Sequence, residues 1–221
     1  MSVVPRIAVL FYSATGNIAR MAEALADGAR GAGAEVRLRP VRELAPADAI
    51  ARNPRWQAWV DEDRYPERAS LADLEWCDGV ALGSPTRFGL PAGQLKEFLD
   101  TTGGLWAQGL LADKVGTSFT SSSTGHGGLE STILAMNNVL YHWGSLVMPL
   151  GYADRHVMKV SGNPYGGSFV SRSSAAPDDV ALEACRLQGA RLARTAGHLA
   201  RGIAEDLAQD AADDRTPDGA R

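Results

Sequence analysis

Cysteine is scarce in this chain: among 221 residues there are two, Cys77 and Cys185. A pair so far apart makes no disulfide framework. The expectation is two buried or free thiols in a reducing cytosol. No Cys/His cluster has metal-ligand spacing, so no metal is expected. No run of about 18 apolar residues occurs, which excludes an ordinary membrane-spanning helix. Residues 1–5 show no basic stretch leading into an apolar one, so no targeting segment is expected there. Positive charge is not in excess either. Lys and Arg number 22 against 26 Asp and Glu, giving a net charge of −4 and a pI near 5.6. A general nucleic-acid or anionic-membrane binder would be basic. These absences together point to a soluble, cytoplasmic protein.

What the chain does have is apolar residues, 45% of the total, although aromatics are only 7%. Ala and Gly are abundant, which suits close packing of helices on a sheet. Arg6 to Tyr12 is a continuous apolar run and reads as a buried parallel strand. Ile18, Met21, Ala22, Leu25 and Ala29 follow at helical spacing. Glu35 to Val41 reads as a second strand. Asp78 to Pro85, Val115 to Ser121 and Leu146 to Leu150 read as the third, fourth and fifth. Between them lie helical stripes at Leu95, Phe98, Leu99 and Thr102, with Pro91 as the start, and at Leu129, Ile133, Met136, Leu140 and Trp143. A last helix begins at Pro177-Asp178-Asp179 and carries Leu182, Cys185, Leu192, Ala196, Leu199, Ile203 and Leu207.

Strands alternating with helices predict a three-layer α/β sandwich around a parallel sheet. We expect one flavodoxin-like domain over residues 1–209, with strand order 2-1-3-4-5. Excursions interrupt it at 44–73 and 151–176, and 210–221 should form a flexible tail. Ligands bind such folds at the switch point, beyond the carboxyl ends of the strands.

The loops at those ends carry the chemistry. After strand 1 comes Ser13-Ala14-Thr15-Gly16-Asn17-Ile18, with a helix directly behind it. A helix N-terminus offers backbone N–H groups and a partial positive charge to a phosphate. Taken alone, the loop reads equally as an ordinary capped helix. It is neither a Walker loop nor Gly-x-Gly-x-x-Gly. After strand 3 comes Gly83-Ser84-Pro85-Thr86-Arg87-Phe88-Gly89, and after strand 4 Ser121 to Gly128. Three donor-rich loops at three successive strand ends suit a flavin, whose ring edge needs donors and whose face needs apolar surface.

Several motifs bear a specific resemblance. Ser13-x-Thr15-Gly16-Asn17-Ile18, Ser84-Pro85-Thr86-Arg87-Phe88-Gly89 and Thr102-Gly103-Gly104-Leu105-Trp106 resemble the tryptophan-repressor-binding-protein (WrbA) family of NAD(P)H:quinone oxidoreductases. So do Ser122 to Gly128, His142-Trp143-Gly144 and Gly162-Asn163-Pro164-Tyr165-Gly166. The resemblance runs from Ile7 to about Leu207. It implies FMN bound by Ser13, Ala14, Thr15, Gly16, Asn17 and Ile18, and by Thr86, Arg87 and Phe88. It also implies contacts from Ser122, Ser123, Thr124, Gly125, His126 and Gly127. Trp106 and His142, with Phe88, would line the cavity above the ring. NAD(P)H would be the electron donor and a quinone the acceptor, with ping-pong chemistry in a homotetramer, sites lying near its subunit interfaces. No protein side chain need act as a catalytic acid. The chain departs from many members at Thr15, where Tyr is frequent, at Leu90, where Asn is frequent, and over Ala51 to Ser70.

Other readings remain beside these. Phe88 can be core packing, His142 a helix cap, His126 a plain loop donor and Arg87 half of an ion pair. Trp56 and Trp59 read as a packing or subunit-contact pair, and Asp61-Glu62-Asp63 as a solvated face. A flavodoxin-type electron carrier and a non-enzymatic FMN-binding regulatory protein are the alternative functions.

Overall fold

The apolar run at the start of the chain sits at the centre of the sheet. In the computed structural model, which describes residues 3–152, 155, 159, 162–172 and 175–213, strand β1 (Arg6–Phe11) lies between β2 (Glu35–Pro40) and β3 (Gly79–Arg87), parallel to both. Val9 pairs with Leu38 on one side and with Ala81 on the other. β5 (Val115–Ser122) continues the sheet beyond β3, and β6 (Leu146–Val147) beyond β5. The order β2-β1-β3-β5-β6 is the expected 2-1-3-4-5 arrangement.

Because successive side chains of a strand face opposite ways, β1 feeds two cores. Ile7, Val9 and Phe11 join the layer made with α1 (Asn17–Gly31) and the long α8 (Asp179–Asp213). Ala8 and Leu10 join the opposite layer, built from α4 (Leu71–Trp76), α5 (Gly93–Asp100) and α7 (Leu129–Trp143). Every position of the α1 stripe read from the sequence is buried. Each large side chain so buried contributes about 1.5–3 kcal/mol relative to exposure. α1 and α8 touch backbone to backbone. A Cβ on Gly28 would lie 1.9 Å from the Arg186 carbonyl oxygen, and one on Gly189 would lie 1.9 Å from that of Leu25. Gln188, fully buried, ties α8 to the sheet. Its amide donates to Thr117 and Ser118 and accepts from the Gly167 N–H.

Three features differ from the sequence expectation. The fifth strand stops early: Leu146 N and Met148 N donate to the Lys114 and Gly116 oxygens, and the register with β5 covers only Leu146 and Val147. Pairing resumes at β7 (Ser168–Val170), which lies along Thr120–Ser122 of β5, so the last strand is split by an excursion. Pro91 does not begin the next helix. It belongs to β4 (Leu90–Pro91), which folds back antiparallel on Thr86 and Arg87, and α5 starts at Gly93 behind Ala92. Finally, helix α8 runs on through Asp210 to Asp213, where two alanines favour helix, while 214–221 lie outside the described residues.

The 44–73 segment holds α2 (Ala47–Ala51), α3 (Pro54–Glu62) and the start of α4. Pro54 opens α3, and the Asn53 side chain accepts from the Arg55 and Trp56 N–H groups. The short α6 (Gly103–Ala107) follows α5. Among the described residues no helix is long and apolar enough to cross a membrane.

Candidate functional site

The chain leaves β1 at Phe11 and must turn sharply to start α1. Gly16 makes that turn at φ 88°, a left-handed conformation that costs glycine little. The buried Ser13 hydroxyl folds back to accept from the N–H groups of Gly16 at 3.1 Å and Ala19 at 3.3 Å. Asn17 Nδ2 reaches across to the Ala175 carbonyl at 3.1 Å. The N–H groups of Asn17 and Ile18, in the first turn of α1, find no acceptor among the described residues. Both residues are buried. Buried N–H groups without partners at a helix start are the donors an anionic oxygen would satisfy.

These residues open onto a cleft of about 400 Å³ at the carboxyl ends of β1, β3 and β5. Ser13, Ala14, Thr15, Asn17 and Ile18 form one side. Pro85, Thr86 and Arg87 form the floor from β3, and Ser121, Ser122 and Ser123 continue it from β5. Ser171, just past β7, closes the far end.

The Thr86 hydroxyl holds two loops together. It donates to the Gly127 carbonyl and accepts from the Gly89 N–H, both at 3.2 Å, and it accepts from the Thr132 hydroxyl at 2.8 Å. The contact needs glycine at 128: a Cβ there would stand 2.7 Å from Gly89 Cα. Arg87 lines the cleft, and its Nη1 has the Thr86 carbonyl as partner, at 3.2 Å. No ion pair engages it among the described residues. The ion-pair reading of Arg87 finds no support.

Other residues named from the sequence stand apart from the cleft. Gly16 shapes the loop without lining it. Thr124, Gly125 and His126 form the exposed tip beyond Ser123, and Gly127 is tied to Thr86. Phe88 sits at the tip of the β3–β4 hairpin with φ 55° and its side chain fully in solvent. It is not core packing. Trp106 and His142 are also exposed in the single chain.

The structure adds a wall that was not foreseen. Asn53, Arg55 and Trp56, from the start of α3, line the same cleft. Trp59 does pack, as expected, against Tyr65 and close to Gly16. Trp56 packs too, against the core layer of α4, α5 and α7, and it also lines the cleft, its Nε1 donating to Glu43 Oε2 at 2.9 Å. Glu43 is a hub. It also accepts from Tyr12 Oη at 2.9 Å, Gln94 Nε2 at 2.7 Å, and the N–H groups of Leu44 and Ala45. Burial alone would raise the pKa of Glu43, but these donors outweigh it and hold the carboxylate below its ordinary range. Tyr12 is pushed the other way, first by burial and then by the negative charge of Glu43. An Asn-Pro helix start followed at once by Arg-Trp was the only sequence sign of this wall.

Residues 5–156 match the family model described as NADPH-dependent FMN reductase. The chain belongs to that family. An NAD(P)H dehydrogenase (quinone) of Geotalea uraniireducens is 41% identical over 203 residues, covering 89% of this chain and 100% of that protein. One of Deinococcus radiodurans is 42% identical over 166 residues, 75% of this chain and 83% of that protein. A flavodoxin, WrbA-like protein from Agrobacterium tumefaciens has the same fold, with a TM-score of 0.62 at 26% identity over 87% of this chain and 97% of that one. The resemblance carried by the sequence motifs and the flavodoxin-like fold class both stand.

Proposed function

We propose that this chain is an FMN-dependent NAD(P)H:quinone oxidoreductase of the cytoplasm. The observation that carries the reading is the cleft beside α1. It joins N–H groups that find no partner among the described residues at one end to a polar floor that carries the Arg87 guanidinium. Ser13 to Ile18 would hold the phosphate with backbone N–H groups and short polar side chains, no cation being needed there. Thr86, Arg87, Ser122 and Ser123 would flank the flavin ring. FMN bound there supplies two-electron chemistry, accepting hydride from NAD(P)H and returning it to a quinone, the two substrates using one place in turn. The protein's own part is to bind, orient and exclude water. Thr86 locks the β3–β4 hairpin to the β5–α7 loop, so the floor is fixed before any ligand arrives. The Arg87 charge is available to an anionic ligand.

Phe88, Trp106 and His142 would complete the site in a homotetramer, each reaching the cavity across a subunit interface. Their full or substantial exposure in the single chain supports this. A bulky residue at positive φ is strained, and such strain persists where the surroundings or a function require it.

The test is reconstitution of the purified protein with FMN, followed by turnover with NADH or NADPH and benzoquinone. Micromolar or tighter FMN binding and parallel double-reciprocal lines are expected. FMN binding without turnover would leave an electron carrier; failure to bind FMN would overturn the whole reading.

A further inference from the structure

The cleft carries more positive charge than its FMN site requires. The phosphate end is served by neutral donors, yet two arginines, Arg55 and Arg87, line the same cavity and no carboxylate does. This holds in a chain whose net charge is −4. Arg55 forms no ion pair among the described residues. An unpaired guanidinium over a cleft without carboxylates is a receptor for a phosphate, which its planar fork can grip with two parallel hydrogen bonds.

Arg55 is also held in place from below. The Asn53 side chain accepts from its N–H at 3.1 Å and fixes the first turn of α3. The neighbouring Trp56 is anchored through Nε1 to Glu43, which reaches back to Tyr12, the residue preceding Ser13. The wall and the phosphate loop are thus one hydrogen-bonded unit.

We infer that Arg55 binds a phosphate of the pyridine dinucleotide, with Trp56 as the flat apolar surface beside it, making the start of α3 the donor-recognition wall of this enzyme. This rests on the oxidoreductase reading above. The phosphate concerned is either the pyrophosphate shared by NADH and NADPH or the 2′-phosphate of NADPH, and comparing the two donors separates them.

The experiment uses the full-length FMN-loaded protein and Arg55→Ala and Arg55→Lys. Calorimetry reads NADP⁺ and NAD⁺ affinity, and steady-state assays read each donor against a fixed quinone. We expect Arg55→Ala to weaken NADP⁺ binding and to lower kcat/KM for NADPH by about tenfold to a hundredfold, chiefly through KM, as for loss of a charge-assisted contact. FMN retention and the quinone KM should be unchanged, and Arg55→Lys should recover part of the loss. A parallel loss with NADH assigns the pyrophosphate; a loss confined to NADPH assigns the 2′-phosphate. Unchanged affinity for both nucleotides, or loss of FMN in place of dinucleotide, overturns the assignment. Normal wild-type turnover with an indifferent Arg55→Ala would refute Arg55 alone. An inactive wild type would refute the functional reading, while calorimetry would still decide whether Arg55 binds the nucleotide.

Discussion

Glu43→Gln is a sharp test of how the α3 wall is held. The substitution keeps shape and volume but replaces one acceptor oxygen by an NH₂ donor. If that NH₂ takes the place of Oε2, Trp56 Nε1 and Tyr12 Oη lose their acceptor. If it takes the place of Oε1, the N–H groups of Leu44 and Ala45 and the Gln94 amide lose theirs. Either orientation strands two or three donors in a partly buried site. At about 0.5–1.5 kcal/mol for each displaced bond, the loss should be about 1–4.5 kcal/mol. Urea unfolding at neutral pH measures it from the midpoint at constant slope. The sign with pH follows from the depressed pKa of Glu43. Its contribution is present above the ordinary glutamate range and is lost as pH falls through the depressed value. The gap between wild type and Glu43→Gln should therefore narrow in acid. A loss below about 0.5 kcal/mol at neutral pH, or a gap that widens on acidification, would refute the hub.

Two further outcomes concern packing and the thiols. Gly189→Ala pushes a methyl into the Leu25 carbonyl, 1.9 Å away, and should cost about 1–3 kcal/mol. Thermal unfolding should register this as about 2–4 °C per kcal/mol, whereas Gly202→Ala, with nothing within 4 Å, should be neutral or slightly stabilising; equal behaviour of the two would contradict the close helix crossing. Burial pushes Cys77 up to about 11 and Cys185 up to about 12, so both remain protonated and shielded at pH 8. A disulfide-exchange reagent should titrate neither in the native protein and both in urea, and fast native labelling of either would show that the burial is wrong.

Local pattern alone determined a good deal of this protein. The continuous apolar run of β1, the stripe of α1 and the alternation of strand with helix are near-neighbour signals, and each survives in the fold. So does the place of the loop Ser13–Ile18, which runs directly into α1 with Gly16 at positive φ. Tertiary structure decided the rest. β7 has three residues, too few to show a period, and it is a strand because β5 offers it an edge. Phe88 reads as a lining of the flavin cavity or as core packing, yet the tight hairpin at its position turns the ring outward. The wall at the start of α3 depended on contacts distant along the chain. Trp56 and Arg55 face the cleft because Glu43 bonds to Tyr12, 31 residues away, and to Gln94, 51 residues away. Periodicity reports which face of an element is apolar. It does not report which distant side chains converge, and it is that convergence which turns an excursion of the chain into part of the site.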